Sequence, residues 1–506
     1  MIRPRLRCAL AGISVAALLS VTAVTTAPTA AQARQPGASG CLDQSVTLSV
    51  EESRLTFTLP ENDNPAVLQS KPFARQMIEG AGFERFTPEF VKQLCNTGRL
   101  AAAEKVVSRY AERLWRMAVD RAQQRKVEGT LPYSDDRPLY WTRLEATAAI
   151  RQWTPRFSLF SGQRLALIET FDRASRGMFD IKFPPGKGVE RVIVSGFDPY
   201  TLDGGPAGTA PGAAGNNIRH GNPSGATALS IDGTTYRTKD GKVAYLEAYT
   251  LPVSYPEFRR GYQEDTIGPF MLPGPRQVDA SITVSQASDS VFDLEQWNGR
   301  YHGVSVGNDR FRPCPQVNGV PQIALNNPEC NIMVVDRWGG PPTFDLRNPP
   351  QWTSATLPIA QMIAADTGRN VPRPPGDEWP DASVAFGVVW HTNYTQFPDC
   401  TSPTTQTRNN PPPVQYPPPT PPTPPDPESC SYSGGGGNYL SNESAYRNTL
   451  LRDRMGLNIP AGHIHTPSMQ HFETDYNPSD ATFDAWRLAI AQQGRNLIYA
   501  VADSVA

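Results

Sequence analysis

The sequence predicts a layered α/β domain preceded by a mainly helical region. Three observations carry this. Residues 99–177 hold three segments with apolar residues at helical spacing: "RLAAAEKVVSRYAERLWRMAVDRAQQ", "LYWTRLEATAAIRQW" and "SGQRLALIETFDRASRG". From about residue 187 the texture changes to short apolar runs, "ERVIVSGF", "VDASITVSQ", "NIMVVD" and "SVAFGVVW", of the kind that forms strands buried on both faces. Helical segments at 357–366, 442–455 and 480–505 fall between or after those runs, the alternation expected of an α/β layered fold.

Ahead of both regions, "MIRPRLR" is basic, "CALAGISVAALLSVTAV" is apolar, and Ala31-Gln32-Ala33 has the form of a cleavage site. Residues 1–33 therefore read as a signal peptide, and the mature chain as secreted. No later run reaches the roughly 18 apolar residues of a membrane span. Six cysteines remain after Cys8 leaves, an even set that suits an oxidising compartment. Short loops favour Cys41–Cys95, Cys314–Cys330 and Cys400–Cys430 among the possible pairings. A net charge of −2 in 506 residues supplies neither a basic surplus for nucleic acid nor an acidic tail.

The mature chain divides into a mainly helical accessory region, 34–186, and an α/β domain, 187–506. Residues 42–60, with "SVTLSVEESRLTFTL", read as strand-like, and the Leu, Trp and Phe stripes of the following helices as core. Two stretches interrupt the α/β domain: a loop-rich insertion at about 301–350, and 397–433, whose "NNPPPVQYPPPTPPTPPDPES" is an extended polyproline tract.

Ser441 is the first candidate for chemistry. It follows four glycines at the start of a helical pattern, where free N–H groups and the positive end of the helix dipole could support a nucleophile. The plainer reading is an N-cap. His465, in "AGHIHTP", is the candidate general base. His463, His465 and His471 form an alternative metal set, since H-x-H on a strand puts both rings on one face. An orienting acid could be Glu295, Asp289, Asp293 or Glu443, each a solvated surface carboxylate by default. Asn393-Tyr394-Thr395 and Asn442-Glu443-Ser444 fit the N-x-[ST] pattern and read as chance matches.

The ordered set of motifs resembles the pyroglutamyl peptidase I (pyrrolidone-carboxylate peptidase) family, cysteine peptidases that remove an N-terminal pyroglutamate. "VIVSGFDPY" (192–200) resembles the first strand and G-F-x-P-F loop, and "NPSGATA" (222–228) the N-P-S helix start. "LPVSYPEF" (251–258) is similar to the L-P-V strand, and "VDASITVSQASDSVFDLEQWN" (278–298) to the G-Q-A-G-G-R and E-R-x-A-x-N segments. "TSATLPIAQM" (353–362), "GNYLSNESAYRNTLL" (437–451) and "AGHIHTP" (461–467) resemble the T-L-P, G-x-Y-x-C-N and G-F-I-H-V-P segments. The likeness covers most of 190–506 outside the insertions and none of the N-terminal region.

That resemblance implies a three-layer α/β/α fold with a mixed, mostly parallel sheet. It places the family's catalytic Cys on Ser441, its His on His465 and its Glu on Glu295, with Phe197 and Gln286 at the substrate pocket. No cofactor or metal is implied, and the partner is a peptide or small amide. The sequence departs from the family in its serine nucleophile, in Ser288-Asp289-Ser290 where G-G-R is usual, and in one residue fewer between Gln286 and Glu295. A Ser–His–Glu hydrolase is the reading adopted. An inactive secreted binding protein on the same fold is the alternative, and a metallohydrolase using His463 and His465 a distant third.

Overall fold

Seven strands build the central sheet: β1 (Val189–Phe197), β2 (Thr234–Arg237), β3 (Val243–Leu251), β4 (Ala280–Gln286), β5 (Phe292–Glu295), β6 (Val388–His391) and β7 (Ala461–Thr466), in the order β6-β5-β7-β4-β1-β3-β2. The computed structural model describes residues 40–203, 217–287, 291–303, 305–314, 316–317, 320–321, 330–332, 349–401, 404–409, 422–469 and 471–505. Strands β7, β4, β1 and β3 run parallel. At one edge β2 is antiparallel to β3. At the other, β5 is antiparallel to β7, and β6 is parallel to β5. The sheet is therefore mixed and mostly parallel.

Side-chain alternation along the strands feeds two cores. Val192 and Val194 of β1 pack with Ile282, Val284 and Ile464 under three helices. These are α7 (Pro223–Ile231), α10 (Ile359–Ala364) and α12 (Ala481–Val505). Ile193 and Phe197 face the other way with Tyr249 and Leu251. They pack under α8 (Tyr255–Arg259), α9 (Tyr262–Met271) and α11 (Leu440–Arg454). Helices on both faces complete the three layers.

The helical region comprises α1 (Val50–Ser53), α2 (Phe73–Gly80), α3 (Phe86–Cys95), α4 (Leu100–Ala122), α5 (Arg137–Gln152) and α6 (Ser161–Ala174). Helix α4 buries Ala103, Val107, Tyr110, Ala111, Leu114 and Ala118, the stripe its spacing predicts. It packs against α7, and Trp115 reaches Asp232 with an indole hydrogen bond of 2.9 Å. Ser39–Ala506 form one compact unit.

Buried charges join the helices to the sheet. Arg137 forks onto Asp135 at 2.9 and 2.6 Å and donates to the carbonyls of Arg219 and Pro478. Arg143 and Arg176 converge on Asp198, the residue after β1, at 2.8 and 2.6 Å. Such pairs hold buried charge only while every partner is present.

Two local expectations are corrected. The strand-like 42–60 segment contains α1 and a 3-10 turn instead. Ser49 accepts from the Glu52 amide, and the Glu52 carboxylate accepts from the Ser49 amide, a reciprocal box that starts a helix and overrides the alternating pattern. Of 383–390, only the end is strand, since β6 begins at Val388. Most of "NIMVVD" and the centre of the polyproline tract, 410–421, lie outside the described residues.

The three short-loop disulfides are present: Cys41–Cys95, Cys314–Cys330 and Cys400–Cys430. The last joins the flanks of the polyproline tract, where Tyr394–Phe397 forms the middle strand between Gln406–Arg408 and Cys430–Ser433. Among the described residues no helix is long and apolar enough to cross a membrane.

Candidate active site

Strand β7 presents His463 and His465 on one face, their ring centroids 4.8 Å apart. The two rings have different surroundings. His463 is fully buried, with Nδ1 2.7 Å from the Thr283 hydroxyl and Nε2 2.8 Å from that of Ser285. Burial, reinforced by the neighbouring His465, pushes its imidazole well below the ordinary range, so it is neutral. Both nitrogens are engaged by hydroxyls, and His471 stacks on Trp486. The metal set of His463, His465 and His471 is thus not assembled.

His465 Nδ1 lies 2.8 Å from Glu295 Oε1. An ionised carboxylate only accepts, so the proton of a neutral His465 sits on Nδ1 and the Nε2 lone pair is left as a base. Glu295 ends β5 and is fully buried. Its other oxygen, Oε2, is 2.7 Å from His391 Nδ1. Burial alone would raise the Glu295 carboxyl. The electrostatic attraction of His391 and the hydrogen bonds from His391 and His465 outweigh it and hold the group well below the usual carboxylate range.

The glycine run explains how this carboxylate is covered. A Cβ on Gly435 would lie 1.6 Å from Glu295 Oε2, and one on Gly434 2.2 Å from Asn442 Oδ1. Gly437 adopts φ +75°. The run is a close backbone approach to buried polar groups rather than a plain linker.

Helix α11 starts immediately afterwards. Its N-cap is Tyr439, whose side chain makes no capping bond, and Ser441 is the second helical residue. Ser441 is therefore not the N-cap. Asn442 is fully buried, accepts from the Gly299 amide and donates to the carbonyls of Gly299 and Tyr301. It is a clamp on the helix start, with no room for a glycan. The next residue, Glu443, bonds His302 at 2.8 Å and Arg447, one turn on, at 2.7 Å, and Arg447 reaches Glu264 at 2.6 Å. Burial raises the Glu443 carboxyl, but Arg447 and His302 outweigh it and keep it below its ordinary range. The acids expected at the surface, Glu295, Asp293 and Glu443, are all buried. Asp289 lies outside the described residues.

Ser441 lines a small, partly open cleft with Phe197, Tyr200, Asn222, Ser285, Gln286 and Tyr439 among its walls. Among the described residues no charged side chain lines it. Gln286 Nε2 donates to the Tyr200 hydroxyl at 2.9 Å, and Gln286 Oε1 is buried without a hydrogen-bond partner among the described residues. His465 borders this cleft through strand register, since β7 aligns His465 with Ser285 and Thr466 with Gln286. The structure thus brings Ser441, Phe197 and Gln286 to one cleft and pairs His465 with Glu295 beside it. No hydrogen bond joins the Ser441 hydroxyl to His465 in this arrangement.

The backbone amide of the pocket residue Phe197 is not free to act as an oxyanion donor. It donates to Ser224 Oγ at 3.0 Å, which leaves the first-turn amides of α11 as the donors near Ser441. Sequence reasoning missed His391 and the Tyr200–Gln286 bond. A histidine closing an apolar strand, "VVWH", was the available signal.

Asp293, Glu295 and His391 place ligand-type atoms within 4.8 Å of one another. Both oxygens of Glu295 already serve His465 and His391, so a cation would have to displace those bonds.

The fold and site define a class: a three-layer α/β/α protein whose strand ends carry a carboxylate-bound histidine beside a helix N-terminus. The chain belongs to the PA0049 family. Residues 30–172 match the model of the PA0049 N-terminal domain and 191–470 that of the PA0049 C-terminal domain. Protein PA0049 of Pseudomonas aeruginosa is 44% identical over 524 residues, covering 94% of this chain and 93% of that protein. Among solved structures, a mutant pyrrolidone carboxyl peptidase from the hyperthermophile Pyrococcus furiosus aligns with 62% of this chain and 100% of its own, at 15% identity and a TM-score of 0.33. Pyroglutamyl peptidase I from Bacillus amyloliquefaciens aligns with 60% and 94%, at 14% identity and a TM-score of 0.28. The fold assignment rests on the strand order and directions themselves.

Proposed function

We propose that this chain is a secreted hydrolase that cleaves a pyroglutamyl-like amide through a Ser441–His465–Glu295 acyl-enzyme mechanism. The observation that carries the reading is the buried 2.8 Å bond from His465 Nδ1 to Glu295, placed at the strand ends that border the Ser441 cleft. Ser441 Oγ attacks the amide carbonyl as His465 Nε2 takes its proton. First-turn amides of α11 hold the oxyanion. The tetrahedral intermediate collapses when His465 returns the proton to the leaving amine. Water, deprotonated by His465, then hydrolyses the acyl-serine and restores the hydroxyl.

The aromatic-walled cleft, uncharged among the described residues, supports a small neutral acyl group, and Gln286 Oε1 supplies an acceptor for a lactam N–H. Three disulfides support an oxidising compartment. There a serine also escapes the oxidation that a reactive thiolate would suffer.

The test is hydrolysis of a fluorogenic pyroglutamyl amide by the purified chain beside its Ser441→Ala variant. The expected result is turnover that the variant lacks. Equal turnover in both would remove Ser441 from the mechanism. Turnover in neither, with the amide still bound in the cleft, would favour the binding-protein reading.

A further inference from the structure

Glu295 serves two imidazoles, and only one of them belongs to the proposed mechanism. Strand β5 lies between β6 and β7, so its last carboxylate can be reached from both sides. On the β7 side His465 holds Oε1 at 2.8 Å; on the β6 side His391 holds Oε2 at 2.7 Å. His391 is aligned with Glu295 in the β5–β6 register, and its carbonyl accepts from the Gln296 amide at 2.9 Å. Backbone pairing therefore sets the second imidazole directly opposite the carboxylate, whereas His465, aligned with Asp293, reaches it diagonally.

We propose that His391 is a positioning residue for the Glu295–His465 pair, holding the carboxylate in one rotamer and setting how much of its charge reaches His465. The proposal rests on the reading of His465 as the general base.

Three features support it. One donor on each oxygen, from opposite sides, leaves a buried carboxylate no alternative rotamer that keeps both bonds. Exposure is graded along the chain of groups: the His391 side chain is 23% exposed, His465 9% and Glu295 0%. His391 is thus the member open to solvent, on the side away from the cleft-bordering His465. Among the described residues the other titratable groups facing the carboxylate are Asp293 on its own strand and His463 on β7, and His463 is already engaged by two hydroxyls. Neither competes with His391 for Oε2.

The test follows the His465 ring signals by NMR across pH in the full chain, in His391→Phe and in His391→Asn. Asn keeps a neutral N–H donor where Nδ1 lies, whereas Phe removes it. Freed of the competing imidazole, the carboxylate stabilises the His465 cation more strongly. The His465 midpoint should rise by on the order of one pH unit in His391→Phe and by less in His391→Asn. In the hydrolytic assay the acid limb should move the same way, with kcat falling and KM nearly constant, and Asn should recover part of the loss. A midpoint unchanged in both variants would overturn the proposal. Failure of the catalytic reading looks different: Ser441→Ala would keep its activity while the His465 midpoint still moved. If His391→Phe does not fold, His391→Asn alone decides, because loss of the ionisable partner must still raise the midpoint.

Discussion

Replacing Glu295 by Gln tests the core of the site. Both carboxylate oxygens accept, at 2.8 Å from His465 and 2.7 Å from His391. A Gln of the same shape offers one acceptor oxygen and one NH2 donor. Only one histidine can keep its Nδ1–H bond; the other faces a donor and must carry its proton on Nε2 instead. His391 is the more exposed and can turn to water, but the bond Gln gives to His465 is then neutral and no longer stabilises the imidazolium. If His465 is the ring that faces the NH2, its base nitrogen is blocked outright. The same substitution in a Ser–His–Asp site costs about 10⁴ in kcat, or roughly 5 kcal/mol of barrier. The expected loss here lies between about 10² and 10⁴, with KM little changed because Glu295 does not line the cleft. The assay is steady-state hydrolysis of a pyroglutamyl amide, with the His465 tautomer read by nitrogen NMR. A Glu295→Gln enzyme keeping more than a tenth of kcat would refute the proposed role of the carboxylate.

Three further outcomes are expected. Gly435→Ala puts a methyl 1.6 Å from Glu295 Oε2, so the carboxylate or the loop must shift and hydrolysis should fall about 100-fold, measurable at unchanged far-UV circular dichroism. Burial, with Asp135 beside it, raises the Asp136 carboxyl from 3.8 to about 7, while its Oδ2 holds the amide of the cleft residue Asn222. A raised carboxyl contributes stability fully below pH 3.8 that is lost as pH climbs to about 7. Asp136→Asn does not titrate, so its stability relative to the parent should rise by roughly 3 kcal/mol between pH 5 and 8 in urea unfolding, and a constant difference would contradict this. Arg143→Met leaves Asp198 with Arg176 alone; a loss of about 3–5 kcal/mol is expected in thermal unfolding, with a raised KM because the Asp198 carbonyl anchors Asn222.

Local patterns made much of the architecture legible. Apolar stripes at helical spacing marked α4, α5 and α6 because burial of one face requires that spacing. Runs without alternation marked β1 and β4 because both of their faces are covered. The short-loop pairing of cysteines followed from chain proximity. The exceptions are equally physical. A four-residue capping box turned a strand-like stretch into α1, since two satisfied amides outweigh a weak alternation.

What the sequence by itself determined is the set of elements and the residue types available for chemistry: a serine at a helix start, histidines on a strand end and carboxylates nearby. Only the tertiary structure decided which of these meet. Asp293 and Glu295 are two apart on β5 and face the same way, so strand period cannot choose between them. The β5–β7 register sets Asp293 opposite His465 and Glu295 opposite His463, so the Glu295–His465 bond runs diagonally across the strands, while β6 sets His391 directly opposite Glu295; these contacts bring Glu295 to residues 170 and 96 positions away. The tertiary structure also turned Glu295 and Glu443, expected in solvent, into buried groups, tolerable because N–H donors or a cation meet them from neighbouring elements: His465 and His391 for Glu295, His302 and Arg447 for Glu443. Except for Arg447, four residues from Glu443, those partners come from distant segments, and their distance in sequence is why no local pattern announces them.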